Sequence, residues 1–522
     1  MHFERSCGVL YPISSLPSYG GVGDLGPEAY RFLDFLGEAR QHMWQVLPLC
    51  PTGYGNSPYA GSSAFAGNPY LISLEFLADW GWIDGERLSG LAGRGGNVAF
   101  DEVEARKLPL LQEAARNFLE RGSREDRLIA RWNEFRDFCR SEADWLEDYA
   151  LYAVLRREFQ TGAWTQWPEP VRRRQPEAME EARESHALAI AVERALQFAF
   201  DRQWTDLRRA AAQRGVRMLG DLAIFVSMDS ADVWASPQLF QLDEGLHPIR
   251  VAGVPPDYFS PTGQRWGNPV YDWEAMRATG YAWWIERIRR SCAQFDILRL
   301  DHFRGFEAYW SIPAEDDTAV NGEWVKAPGK DLFEHLELAL GPLPLVAEDL
   351  GVITPEVDKL RLDLGMPGMR VLQFGFGSVE AHNHLPHRFP VETIAYTGTH
   401  DNDTTPGWWS HASAAEQDAV EACIGPVGGN AVWATWGLMR ALYTSVASLA
   451  IVPAQDLLGL GSEARMNTPA VATGNWSWRA PEGCWSAASG LADGLARMAV
   501  VTDRDGDPLG RPETSVPGRT SV

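Results

Sequence analysis

Short apolar runs bounded by polar, Gly or Pro residues recur along the chain. They occupy residues 8–12 (GVLYP), 43–48 (MWQVLP), 216–222 (VRMLGDL) and 295–301 (FDILRLD). The series continues at 343–348 (LPLVAE), 369–374 (MRVLQF), 393–397 (TIAYT) and 449–453 (LAIVP). Each has the length of a buried strand, although a buried helix segment can look the same. Between them lie stretches of helical period. Residues 27–40 place Tyr30, Leu33, Phe35 and Leu36 at helical spacing, with Pro27 suited to the first turn. Residues 187–214 read as a second helix, just before the third run. Eight strands alternating with helices predict an α/β fold, a (β/α)8 TIM barrel.

The strands are unevenly spaced. About 165 residues separate the second from the third, and the region between is rich in Glu, Arg, Leu and Ala. It reads as helical from about 100 to 158, which predicts an inserted helical subdomain over about 75–190. About 75 residues separate the third from the fourth. They hold a Pro/Gly/aromatic stretch, GVPPDYFSPTGQRWGNP (253–269), read as a long loop inside an inserted region of about 228–290. The expectation is one catalytic barrel over 1–500 and a disordered tail over 501–522.

Charge narrows the range of partners. A formal net charge of −23 repels the phosphate backbone and anionic lipid, so nucleic acid and membrane are not expected partners. The six cysteines stand far apart with no CxxC pair, which argues against a zinc knuckle or a thioredoxin-type site and for reduced thiols. The first residues lack the basic-then-apolar layout of a signal peptide, and no uncharged apolar run reaches about 18 residues. The expected location is the cytoplasm. The oligomeric state is left open. Trp equals Phe in number, at 22 each. Large aromatics fill cores, and they also stack on the apolar faces of sugar rings.

In such a barrel the chemistry sits at the C-terminal ends of the strands. The third run ends near Asp221, the fourth with Arg299 and Asp301, and the fifth with Glu348; His400 and Asp401 follow the seventh. Four strands therefore bring an acid to the same end. Paired carboxyl groups suit glycosidic bond chemistry, one as nucleophile and one as acid/base. A third anion can stabilise an oxocarbenium-like transition state. Arg299, two residues before Asp301 on a strand, falls on the same face and favours the ionised acid. Taken singly, an Asp at a strand end such as Asp301 more often caps the following helix than reacts. His302 reads as a hydrogen-bonded core residue, and Asp349 and Asp403 as loop or capping residues. His400 and Asp401 could form half of a metal site, but no second His motif accompanies them.

Several longer segments then carry a resemblance. GVLYPISSLPSYGGVGDLG (8–26), WQVLPLCPTGYGNSPYAGSSAFAGNPYLI (44–72) and GVPPDYFSPTGQRWGNPVY (253–271) are followed in order by RLDHFRG, AEDLG, THDNDT and QDLLGLGSEARMNTP. Together they resemble glycoside hydrolase family 77, the amylomaltases or 4-α-glucanotransferases, relatives of the α-amylases. The match covers about residues 8–479, with gaps in the helical insertion. The resemblance implies Asp301 as nucleophile, Glu348 as general acid/base and Asp401 as the third carboxylate. It implies substrate-binding roles for Ser57, Tyr59, Asp221, Arg299 and His400, and for Tyr258, Phe259 and Trp266 in an arch over the cleft. The implied activity is retaining transfer of α-1,4-glucan segments between sugar acceptors, α-1,4-glucans and maltooligosaccharides being the partners. No metal, nucleotide or organic cofactor is expected. Two departures stand out: Ala223 where Pro is common, and Ala470 where Gly is expected. The competing readings are an α-glucan hydrolase on the same acids, a glucan-binding protein that has lost catalysis and, more distantly, a metal-dependent hydrolase.

Overall fold

The computed structural model describes residues 4–506, apart from 92, 94, 161, 257–259, 378–379 and 487–489. Twelve strands are described: β1 (Ser6–Leu10), β2 (Met43–Gln45), β3 (Arg217–Ala223), β4 (Arg250–Val254), β5 (Gln264–Pro269), β6 (Ile297–Asp301), β7 (Ala308–Pro313), β8 (Glu323–Lys326), β9 (Leu345–Ala347), β10 (Gly368–Val371), β11 (Thr393–Tyr396) and β12 (Leu449–Pro453). Eight of them form one parallel sheet in the order β10-β11-β12-β1-β2-β3-β6-β9. Its two ends approach each other, and Ala347 N–H donates to the Pro367 carbonyl at 2.9 Å across the gap. The sheet is thus a nearly closed barrel. Its strands are buried on both faces, which is why they read as unbroken apolar runs.

Each of the eight expected runs overlaps one of these strands. The sixth is shorter than expected: β10 ends at Val371, and Leu372–Phe376 turns into a 3-10 helix. The expected helices are also present, at Pro27–Glu38 and Ala187–Gln213. Phe32, Leu33 and Leu36 of the first are fully buried against the barrel, and Pro27 stands in its first turn.

Between β2 and β3 the chain forms the helices Phe100–Arg121, Asp126–Ser141, Ala143–Phe159 and Pro176–Ser185. The expected boundary near residue 190 falls inside the helix Ala187–Gln213, which runs on unbroken to β3.

Two expectations need correction. Residues 253–269 are not simply a loop. They carry the end of β4 and all of β5, part of a second, antiparallel sheet in the order β5-β4-β7-β8. The Gly and Pro residues in QRWGNP hid this strand. The chain from 501 to 506 is not a tail either. Arg504 is fully buried and donates to the carbonyls of Tyr443, Ser6, Ser445, Ser448 and Ala447, and Asp505 bridges to Ser6. The rest of the expected tail, 507–522, lies outside the described residues.

Candidate active site

The parallel ladder sets the acids. Asp221 of β3 is paired with Arg299 of β6, and Ala223 with Asp301. Arg299 and Asp301 are two residues apart and share a face. Arg299 Nη1 donates to both oxygens of Asp221, at 2.7 and 2.6 Å, and Nη2 lies 2.9 Å from Asp301 Oδ1. Its Nε points at Met369 Sδ, 3.3 Å away. One buried guanidinium therefore holds two carboxylates from neighbouring strands. Burial alone disfavours its charge, but Asp221, Asp301 and Glu348 outweigh this and raise its pKa.

Glu348 follows β9. His302 N–H donates to its Oε2 and Leu350 N–H to its Oε1, both at 2.8 Å. Burial raises the Glu348 pKa, against the pull of Arg299 and these two N–H groups. Burial also raises the Asp301 pKa, opposed by Arg299 and reinforced by Asp221, Glu348 and Asp401. The two acids nevertheless differ in setting. Asp301 keeps 27% of its side chain open to solvent and has a cation against one oxygen. The oxygens of Glu348 meet neutral backbone N–H groups instead.

Tyr59 closes the Asp221 side. Its hydroxyl donates to Asp221 Oδ2 at 2.7 Å. Burial, first of all, keeps the phenol protonated and so a donor. Its ring stacks on His400, with centroids 5.1 Å apart and planes 15° from parallel, and Trp476 packs against both rings. Burial lowers the His400 pKa. Asp401 lies next to His400, with Nε2 3.3 Å from Oδ2. Asn467 donates to Asp401 Oδ1 and Arg465 to the Asp401 carbonyl, both at 2.6 Å.

The other expected residues are placed as follows. The Ser57 hydroxyl accepts from Tyr59 N–H at 3.2 Å and caps the short turn Pro58–Ala60. Trp266 stands on β5, is 38% exposed, and meets the His302 ring edge-on at 4.9 Å. Tyr258 and Phe259 lie outside the described residues. Asp349 is more than a cap: it accepts from Met369 N–H at 2.6 Å and pairs with Arg361 and Arg370. Asp403 accepts from Thr404 N–H and from the Ser462 hydroxyl.

Sequence reasoning missed four residues here. His302 is not a hydrogen-bonded core histidine: its Nε2 is buried without a partner and its backbone is left-handed, at φ 51°. Asn467, Arg465 and Trp476 lie more than 60 residues beyond Asp401, and only the ARMNTP motif hinted at the first two.

An acid cluster around a buried arginine, at the C-terminal mouth of a parallel barrel, defines a carboxylate-dependent barrel enzyme. The sequence model of glycoside hydrolase family 77, described as 4-alpha-glucanotransferase, matches residues 11–484. The 4-alpha-glucanotransferase of Thermus thermophilus is 47% identical over 509 residues, 97% of this chain and 100% of that protein. That of Synechocystis is 47% identical over 480 residues, 91% of this chain and 94% of that protein. The structure of the Streptococcus agalactiae amylomaltase in complex with acarbose superposes with a TM-score of 0.90 at 35% identity, covering 96% of this chain and all of that one. The chain belongs to the 4-alpha-glucanotransferase family, and its activity is that of a glycosyltransferase of this kind.

Proposed function

We propose that the chain transfers segments of α-1,4-glucan to the 4-hydroxyl of glucose or another glucan by retaining double displacement, with Asp301 as nucleophile. The observation that carries this reading is the single guanidinium of Arg299 against Asp301, with Glu348 held nearby by neutral donors. Burial raises both pKa values; at Asp301 the directly paired Arg299 cation opposes it and favours the ionised form, whereas at Glu348 burial favours the protonated form. In the first step an Asp301 oxygen bonds to the anomeric carbon. The bond to the glycosidic oxygen breaks, and the Glu348 proton goes to that oxygen. In the second step Glu348 takes the proton of an acceptor 4-hydroxyl. That oxygen bonds to the anomeric carbon and the ester to Asp301 breaks, so the α configuration is retained.

Asp401, fixed by Asn467, is placed to grip sugar hydroxyls and support ring distortion. Tyr59, His400, Asp221 and Ser57 form the wall of the reacting-sugar site, and Trp266 contributes to the arch that favours sugar over water. Maltooligosaccharides are the substrates this reading requires, and the acarbose bound by the Streptococcus amylomaltase is consistent with it. Among the described residues no helix is long and apolar enough to cross a membrane, which fits the proposed cytoplasmic location.

Incubation with maltotriose tests the reading. Transfer gives a ladder of longer α-linked oligomers, whereas glucose and maltose alone would mean hydrolysis. Asp301→Ala should lower turnover by at least about 10⁴-fold. Retained turnover would remove Asp301 from the nucleophile role.

A further inference from the structure

We propose that His302 is a positioning residue joining the arch to the acid/base: its left-handed backbone holds Glu348 while its ring braces Trp266. The inference rests on the transfer reading above and deepens it.

His302 directly follows Asp301 and turns the chain out of β6 with φ 51° and ψ 50°. Residues with a Cβ avoid this region, Asn and Asp least. The turn makes two successive N–H groups face one residue. His302 N–H reaches Glu348 Oε2 at 2.8 Å, and Phe303 N–H reaches the Glu348 carbonyl at 3.1 Å. The φ and ψ of 302 aim the Phe303 N–H, so an extended residue there would lose the bond to the Glu348 carbonyl and release the turn that seats the His302 N–H on Glu348 Oε2. The ring lies in a close-fitting slot. A Cβ on Gly305 would come 3.2 Å from His302 Cδ2 and 2.8 Å from Ile224 Cδ1. On its other side the ring meets Trp266 edge-on at 4.9 Å. Trp266 is exposed and belongs to the antiparallel sheet, whereas Glu348 belongs to the barrel. His302 touches both.

The ring acts by contact and not by titration. Burial, with Arg304 adding, pushes the His302 pKa down to about 3, so the imidazole is neutral throughout the working range. Any change in pH dependence on altering His302 must then come through Glu348. The charged groups around the Asp301–Glu348 pair are Arg299, Asp221, Asp349 and Asp401, and the test alters none of them.

The test uses the full chain on maltotriose. It reads the pH profile of kcat/KM and the ratio of transfer to hydrolysis. His302→Asn keeps a side chain that tolerates the left-handed region. It should leave the alkaline limb in place and lower the transfer ratio about three- to tenfold, as expected for one lost aromatic contact. His302→Val disfavours that backbone. It should also move the alkaline limb up by about one pH unit, because the lost N–H no longer favours the ionised Glu348. Trp266→Leu should lower the transfer ratio as far as His302→Asn does, and the two together no further.

Three results would overturn the inference: an unchanged ratio in His302→Asn, additive losses in the double variant, or a limb shifted as far by Asn as by Val. If His302→Val melts at assay temperature, the cycle of His302→Asn with Trp266→Leu decides alone. A wild type that makes no ladder removes the transfer reading and this inference together. A ladder with unchanged variants overturns only the inference.

Discussion

Arg299 touches two acids that differ in exposure. The Asp221 side chain is fully buried, and that of Asp301 keeps 27% of its surface. The guanidinium pairs with the Asp221 side chain where water does not reach, and Tyr59 supplies a second donor to it. Asp221 thereby anchors Arg299, and Arg299 presents Asp301. A different economy governs Ala470, which stands in the left-handed region at φ 64° where Gly is expected from the family resemblance. A Cβ there costs roughly 1–2 kcal/mol, partly offset by the smaller entropy an Ala loses on folding. Ala470→Gly should therefore raise stability by about 0.5–1 kcal/mol, read as a higher urea midpoint at an unchanged slope. An equal or lower midpoint would mean that the loop has absorbed the strain elsewhere.

The element that carries Tyr59 is a long irregular segment between β2 and the first inserted helices, and its backbone polar groups need partners. The helix Ala187–Gln213 supplies them. Gln197 accepts from Gly67 N–H at 2.8 Å and donates to its carbonyl at 2.9 Å, and Gln203 does the same for Ser73 at 2.7 and 3.0 Å. Two glutamines thus act as a strand edge. Asp232 adds a third fixing point by accepting from Ala64 N–H at 2.8 Å. Burial raises its pKa to about 6, against the pull of Ala64 N–H and Arg287. The folded form thus holds its proton more tightly than an unfolded carboxyl near 3.8. Stability from this group is complete below the unfolded pKa and falls as pH rises through about 6. Asp232→Asn keeps the acceptor and removes the titration. It should stabilise the fold at pH 8 on the order of 2–3 kcal/mol relative to wild type, with no such gain at pH 4. Urea unfolding at both values checks this, and a pH-independent difference would refute it. The eight barrel strands were legible in the sequence because full burial leaves unbroken apolar runs. β4 and β5 were not, since their edges carry Gly and Pro. The four acids were legible as strand ends. Gln197, Asn467 and Trp476 were not, because their roles depend on tertiary contacts that no local spacing encodes.

At the scale of the whole molecule the barrel has one seam. Its sheet runs from β10 round through β1 to β9, and among the described residues these two ends are joined by the Ala347–Pro367 backbone hydrogen bond and by Asp349. Asp349 is buried, follows Glu348, and reaches across to Met369 N–H at 2.6 Å, Arg361 Nε at 3.3 Å and Arg370 Nη1 at 3.4 Å. The approach requires Gly368: a Cβ there would lie 2.3 Å from Asp349 Oδ2. The acid that closes the barrel and the acid assigned to proton transfer are therefore adjacent, so damage to the seam should reach the chemistry. Asp349→Ala leaves a buried N–H and a buried guanidinium without their acceptor, and should cost about 3–5 kcal/mol of stability together with most of the turnover. Asp349→Asn keeps an acceptor for Met369 N–H, so it should cost less stability and retain more activity. Glu348→Gln, by contrast, should abolish turnover while leaving the urea midpoint near that of wild type. If Asp349→Ala unfolded at the wild-type midpoint, closure would have to come from the packing of the flanking helices, and the link between barrel closure and the position of Glu348 would fall with it.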